Sequence, residues 1–166
     1  MPLQQPNQQL NQQPSPLQRK IKVYSIVFLI LSFLGIIDAG YLTMKHYTGA
    51  YIPCTILDGC NAVAQSEYSV ILGIPVALLG LMFYVTVFVL SMAMLDSKNE
   101  KLIKYILLFA ITGFAVSLFL TYLQVFVIKA LCMYCLLSAV NTVVLLVLSI
   151  MLFKHAKIFK TETQTS

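Results

Sequence analysis

Charge is what this chain has least of. Asp, Glu, Lys and Arg make up 10% of its 166 residues, against 59% hydrophobic residues. That balance excludes an ordinary soluble domain and implies a chain solvated largely by lipid, for which one membrane domain is the natural reading. Strand alternation of comparable length is missing, and so is the signature of a cleaved secretory leader. The apolar stretch from Val23 runs past Asp38 to Met44, well beyond a short apolar core with a small-residue cleavage site. The net charge of +5 does not imply a nucleic-acid partner, because the basic residues stand in short groups beside apolar runs, where they bias membrane topology instead.

Apolar content is in turn what the N-terminal segment MPLQQPNQQLNQQPSPLQ lacks. Rich in Gln, Asn and Pro, it cannot bury enough surface to offset the cost of ordering, so residues 1–20 read as a disordered tail. A helix that crosses the hydrocarbon needs about 20 residues, and four segments supply them: about 21–46, 73–95, 102–128 and 131–153. Lipid offers no partners for peptide groups, so each is expected to be helical and apolar all round rather than striped. The expected fold is an all-α membrane protein, a four-transmembrane-helix bundle with a long outer loop between helices 1 and 2.

The basic residues orient the bundle. Arg19, Lys20 and Lys22 precede the first span; Lys98, Lys101 and Lys104 lie in or just beyond the second connection; Lys154, Lys157 and Lys160 follow the last span, and only Lys45 and Lys129 fall on the other side. Positive charge stays cytoplasmic, so both termini, including the tail 154–166, are expected in the cytoplasm and the first and third connections outside.

All four cysteines then meet at the outer face, where disulfides can form and persist. Cys132-Met-Tyr-Cys135 places two thiols three residues apart on one helix face, close enough to bond. The helix N-terminus and Lys129 just upstream favour a thiolate at Cys132, the attacking form. Cys135, a turn deeper, is the better placed to meet a lipid-soluble oxidant. Cys54-Thr-Ile-Leu-Asp-Gly-Cys60 lies in the outer loop of about 47–72, long enough for a lid or binding element. Its two thiols can pair with each other across the flexible turn of Asp58 and Gly59. A mobile pair beside a fixed pair suits a disulfide relay. The same residues would also serve as two static disulfides in a non-catalytic scaffold, or as a four-cysteine zinc site in a small metal-binding or transport protein.

With these motifs the chain resembles the vitamin K epoxide reductase family, in particular its bacterial and archaeal members. The resemblance rests on Gly35 and Asp38-Ala-Gly-Tyr41-Leu-Thr-Met-Lys-His46 at the end of the first span and on the loop cysteines. It continues through Cys60-Asn-Ala-Val-Ala-Gln-Ser66, Gly73-Ile-Pro75-Val-Ala-Leu-Leu-Gly80, and Cys132-Met-Tyr-Cys135 with Ser138. It implies a bundle around a quinone pocket for a ubiquinone or menaquinone type, with Cys132 and Cys135 as the active-site pair and Cys54 and Cys60 as the shuttle pair. Ser66 matches a Ser or Thr position that the family places near the pocket. The implied partner is a thioredoxin-like thiol protein, expected here as a separate chain because no such domain follows the fourth span. Where animal members carry an Asn early in the second helix and a Tyr after the C-x-x-C motif, this chain has Val76 and Ala139, which favours quinone over epoxide as the acceptor. The other well-known four-helix disulfide-forming proteins place their C-x-x-C in the first outer loop and match less well.

The remaining polar residues carry plainer readings beside functional ones. Asp38 either relays protons or snorkels to the interface, the structural role being favoured, and His46 reads as a solvated interfacial group. Tyr134, Tyr41 and Tyr84 are candidates to line the quinone pocket, although tyrosine is common at membrane boundaries in any case.

Overall fold

The computed structural model describes residues 16–54, 59–96 and 100–164. Its long helices are α1 (Pro16–Thr48), α3 (Val76–Asp96), α4 (Glu100–Tyr122) and α5 (Met133–Gln164), with a short α2 (Cys60–Ala64) in the first connection. A 3-10 turn (Glu67–Ser69) and a minimal antiparallel hairpin, β1 (Val70–Ile71) with β2 (Ile74–Pro75), lead into α3. Among the described residues, four segments, Arg19–Thr48, Val76–Asp96, Lys101–Ile128 and Met133–Ile158, are long and apolar enough to cross a membrane. The shortest has 21 residues, roughly 31 Å at 1.5 Å per residue, which matches the hydrocarbon thickness. The all-α four-helix membrane bundle expected from the sequence is therefore what the chain forms.

α1 packs on α3 and α5, and α4 packs on the same two, so the four helices close into a ring. Phe28, Tyr84, Val87, Ile106, Leu145 and Leu152 fill its centre. The outward faces are just as apolar: Phe33, Val89, Leu118 and Val140 are all more than half exposed. In water such a surface drives association; in a bilayer it is the side that meets lipid. Ser25, Ser32, Ser91 and Ser149 are buried, and each hydroxyl donates to a carbonyl of its own helix at 2.7–2.9 Å. These small side chains satisfy themselves and let neighbouring helices approach closely. Gly35 does the same between α1 and α3, since a Cβ there would fall on the ring of Tyr84.

Helix ends differ from the sequence expectation for local reasons. α1 begins at Pro16, inside the segment expected as tail, because proline fits a helix's first turn without an unsatisfied N–H; residues 1–15 lie outside the described residues. α3 starts at Val76 instead of Gly73, the intervening residues being used by the hairpin, whose turn places Leu72 and Gly73 at positive φ. The third span leaves α-geometry at Tyr122 and continues as a π-helix over Leu123–Ile128. α5 runs on to Gln164, because nothing between Phe153 and that residue is Gly or Pro. Lys98 and Asp58 lie outside the described residues.

Candidate redox site

Cys132 immediately precedes α5, in the position that caps the helix. Its carbonyl accepts the N–H of Leu136 at 3.0 Å, and its Sγ accepts the N–H of Cys135 at 3.4 Å. The thiol thus takes the place of a capping side chain at the positive end of the helix. Behind it, the buried Gln124 of the π-segment accepts the main-chain N–H of Cys132 on Oε1 at 3.0 Å. Cys132 is buried and Cys135 half-buried, and both are free thiols.

The loop pair arrives from the other side. Cys54 and Cys60 are joined in a disulfide with Cα atoms 6.2 Å apart. Asn61, next in line, clamps the segment ahead of Cys54: its Oδ1 accepts the N–H of Ile52 and its Nδ2 donates to the carbonyl of Ile52, both at 3.0 Å. Gly59 lets this loop settle against the chain leading to Cys132, for a Cβ there would meet the main-chain N and O of Leu131 at 2.6 Å. Ile52, Cys60 and Cys132 form one buried cluster, with Cys54, Cys135, Tyr41 and Tyr134 packed against it. All four cysteines therefore converge at one end of the bundle.

Beside this cluster lies a cavity of about 150 Å³. Its wall is mostly apolar, with Ala39, Leu42, Val63, Val76 and Leu120 among the lining groups. A few polar groups interrupt it: Asp38, His46, Ser66, Gln124 and Ser138, together with Cys60, Cys132 and Cys135. A mostly apolar wall with a few polar groups is the usual make-up of a small-molecule site. Ser66 donates its hydroxyl to the carbonyl of Val63 at 2.7 Å, which leaves its oxygen lone pairs as acceptors at the wall. Asp38 Oδ2 and Asn141 Oδ1 are buried with no hydrogen-bond partner.

The three candidate pocket tyrosines, Tyr41, Tyr84 and Tyr134, are not among the residues lining the cavity. Tyr84 stands behind the wall, its hydroxyl 2.7 Å from Ser138 Oγ and also donating to the carbonyl of Ser138 at 3.2 Å. Tyr134 packs on Tyr41 with ring centroids 5.3 Å apart, and its hydroxyl points to the carbonyl of Pro53 at 3.4 Å, beside Cys54. The described residues contain no group of three or more His, Cys, Asp or Glu placed to hold a metal ion. Sequence reasoning passed over Gln124 and Asn61. The first carried one signal, a lone amide in an otherwise apolar span, where polar groups are expensive; the second carried none.

The family model described as the vitamin K epoxide reductase family matches residues 26–150, a stretch that takes in all four cysteines and the cavity wall. With four membrane-spanning helices, a disulfide-bonded loop pair and a C-x-x-C pair at the head of the last helix, the chain belongs to the vitamin K epoxide reductase family of oxidoreductases.

Proposed function

We propose that this membrane thiol oxidoreductase takes electrons from a thioredoxin-like thiol protein on the outer side of the membrane and passes them to a membrane quinone, so that disulfide bonds form in exported proteins. The convergence of both cysteine pairs in one buried cluster beside a mostly apolar cavity carries this reading. Nine basic residues flanking the spans on one side against Lys45 and Lys129 on the other support cytoplasmic termini and an outer active site.

A thiolate of the reduced partner attacks one sulfur of the Cys54–Cys60 disulfide, forming a mixed disulfide that the partner's second thiol resolves. The freed loop thiols reduce a Cys132–Cys135 disulfide in the same way, restoring Cys54–Cys60 and leaving a dithiol on α5. Such an exchange would leave Cys54 and Cys60 joined and Cys132 and Cys135 as thiols, the same pairing that the structure has. A bound quinone supplies an acceptor for two electrons and two protons at that dithiol. His46 is the wall group suited to donate to a quinone carbonyl oxygen, Ser66 offers lone pairs that suit the hydroxyl of the reduced product, and the apolar lining excludes water from the thiols. Thiol oxidants of the disulfide-forming class sit near about −120 to −180 mV, and each 30 mV below a quinone is worth about 1.4 kcal/mol for two electrons. A quinone of higher potential therefore draws the electrons toward the cavity.

Purified protein given a reduced thioredoxin-like partner and a short-chain quinone is expected to turn over, and Cys135→Ala to abolish turnover while leaving the Cys54–Cys60 disulfide intact. Turnover that survives Cys135→Ala removes the mechanism; a wild type that never reduces quinone favours a scaffold with static disulfides.

A further inference from the structure

Closing a disulfide from two thiols releases two protons along with two electrons, and both are needed to turn a quinone into a hydroquinone. The electron path from the dithiol to a quinone leaves those protons without a carrier, and the role assigned to Asp38 rests on that path. Asp38 is built into the wall that holds Cys132, Cys135 and Ser138, and its Oδ2 is buried with no hydrogen-bond partner. An unpartnered carboxyl oxygen in a membrane-embedded cavity is costly and contributes nothing to packing alone. Among the described residues, the buried polar side chains of the same helix are satisfied: Ser25, Ser32 and Thr43 each donate to a carbonyl three or four residues back.

We infer that Asp38 is the proton-handling residue of the cavity, taking a proton from the Cys132–Cys135 dithiol and surrendering it to the acceptor. In balance, one S–H bond breaks as an O–H bond forms on the Asp38 carboxylate. The S–S bond closes as two electrons leave. One proton reaches the hydroquinone by way of Asp38 and the other comes from the second thiol. Cys132 and Cys135 at the head of α5 and Tyr68 ahead of α3 share the wall with Asp38. His46 shares the wall from α1, and among the described residues no Lys or Arg borders the cavity. No Lys or Arg among those wall residues therefore holds the carboxylate in a permanent ion pair.

Asp38→Asn and Asp38→Glu in the full chain test this, with one readout that needs no quinone. The rate at which a small alkylating reagent modifies Cys132 and Cys135 is followed against pH with the loop disulfide intact. Removing a negative charge beside the thiols eases their ionisation, so Asp38→Asn is expected to move the midpoint to lower pH, about tenfold faster alkylation at neutral pH, with the high-pH plateau unchanged. Quinone turnover is expected to fall about a hundredfold, the scale of general acid–base assistance, and Asp38→Glu to keep most of it. Alkylation and turnover thus move in opposite directions. An unmoved midpoint, a plateau that rises through local unfolding alone, or turnover within about twofold of wild type overturns the assignment. A wild type that does not reduce quinone overturns the electron path as well, which separates the two failures.

Discussion

The side-chain Oε1 of Gln124 accepts the main-chain N–H of Cys132 at 3.0 Å. The π-helical end of the third span thereby reaches across the connection to fix the residue that opens α5. The main-chain carbonyl of Gln124 accepts the N–H of Ala130 at 3.1 Å, and Lys129 between them turns the chain at φ 55°. Gln124 therefore holds the approach to the reactive cysteine with two of its atoms.

Gln124→Leu leaves a buried N–H without a partner. It is expected to lower stability by about 1–3 kcal/mol, measured by unfolding in detergent, and to slow quinone reduction. Val125→Leu, at an exposed neighbouring position, is expected to stay within about 0.5 kcal/mol of wild type. Equal unfolding midpoints for the two variants would show that the hydrogen bond does not hold this turn.

Asn61→Ala removes both hydrogen bonds to Ile52 and loosens the segment entering the loop disulfide. With each bond worth about 0.5–1.5 kcal/mol, local opening is expected to rise about tenfold. The rate at which a soluble dithiol reduces Cys54–Cys60, followed by mass-tagging of the released thiols, reads this directly. An unaltered rate means that the clamp does not gate the loop.

Gly35→Ala pushes a methyl group into the Tyr84 ring. Overpacking of this kind is expected to destabilise the bundle by about 1–3 kcal/mol. Combining it with Tyr84→Leu is expected to cost less than the sum of the two single changes, because the clash disappears with the ring. Strict additivity would place the strain elsewhere.

An impermeant thiol reagent, applied to intact cells after mild reduction, is expected to label single-cysteine variants retaining Cys54 or Cys60 from the outside. Labelling that requires access from the cytosol would invert the topology and remove the proposed partner from reach.

Much of the fold was legible because membrane spans are long and their rule is simple: some twenty apolar residues admit no structure but a helix. The cysteine pairs were legible by spacing and by falling at one end of the spans. The hairpin at Val70–Pro75 was not, because strands of two residues carry no periodicity. The π-segment was equally hidden, Leu123–Ile128 being as apolar as the helix before it. Tyr84 and Tyr134 show the remaining gap. Sequence placed both near the site, but helical spacing does not decide whether a ring faces a cavity, backs its wall through Ser138, or turns toward Pro53.

Gly59 has a consequence for how far apart the two sulfur pairs stand. The surfaces in contact there are peptide backbone on one side and a bare Cα on the other, so no rotamer change can widen or narrow the gap. Replacing Gly59 with Ala inserts a one-methyl spacer, and that spacer is expected to insulate the loop pair from the helix pair even with every sulfur in place.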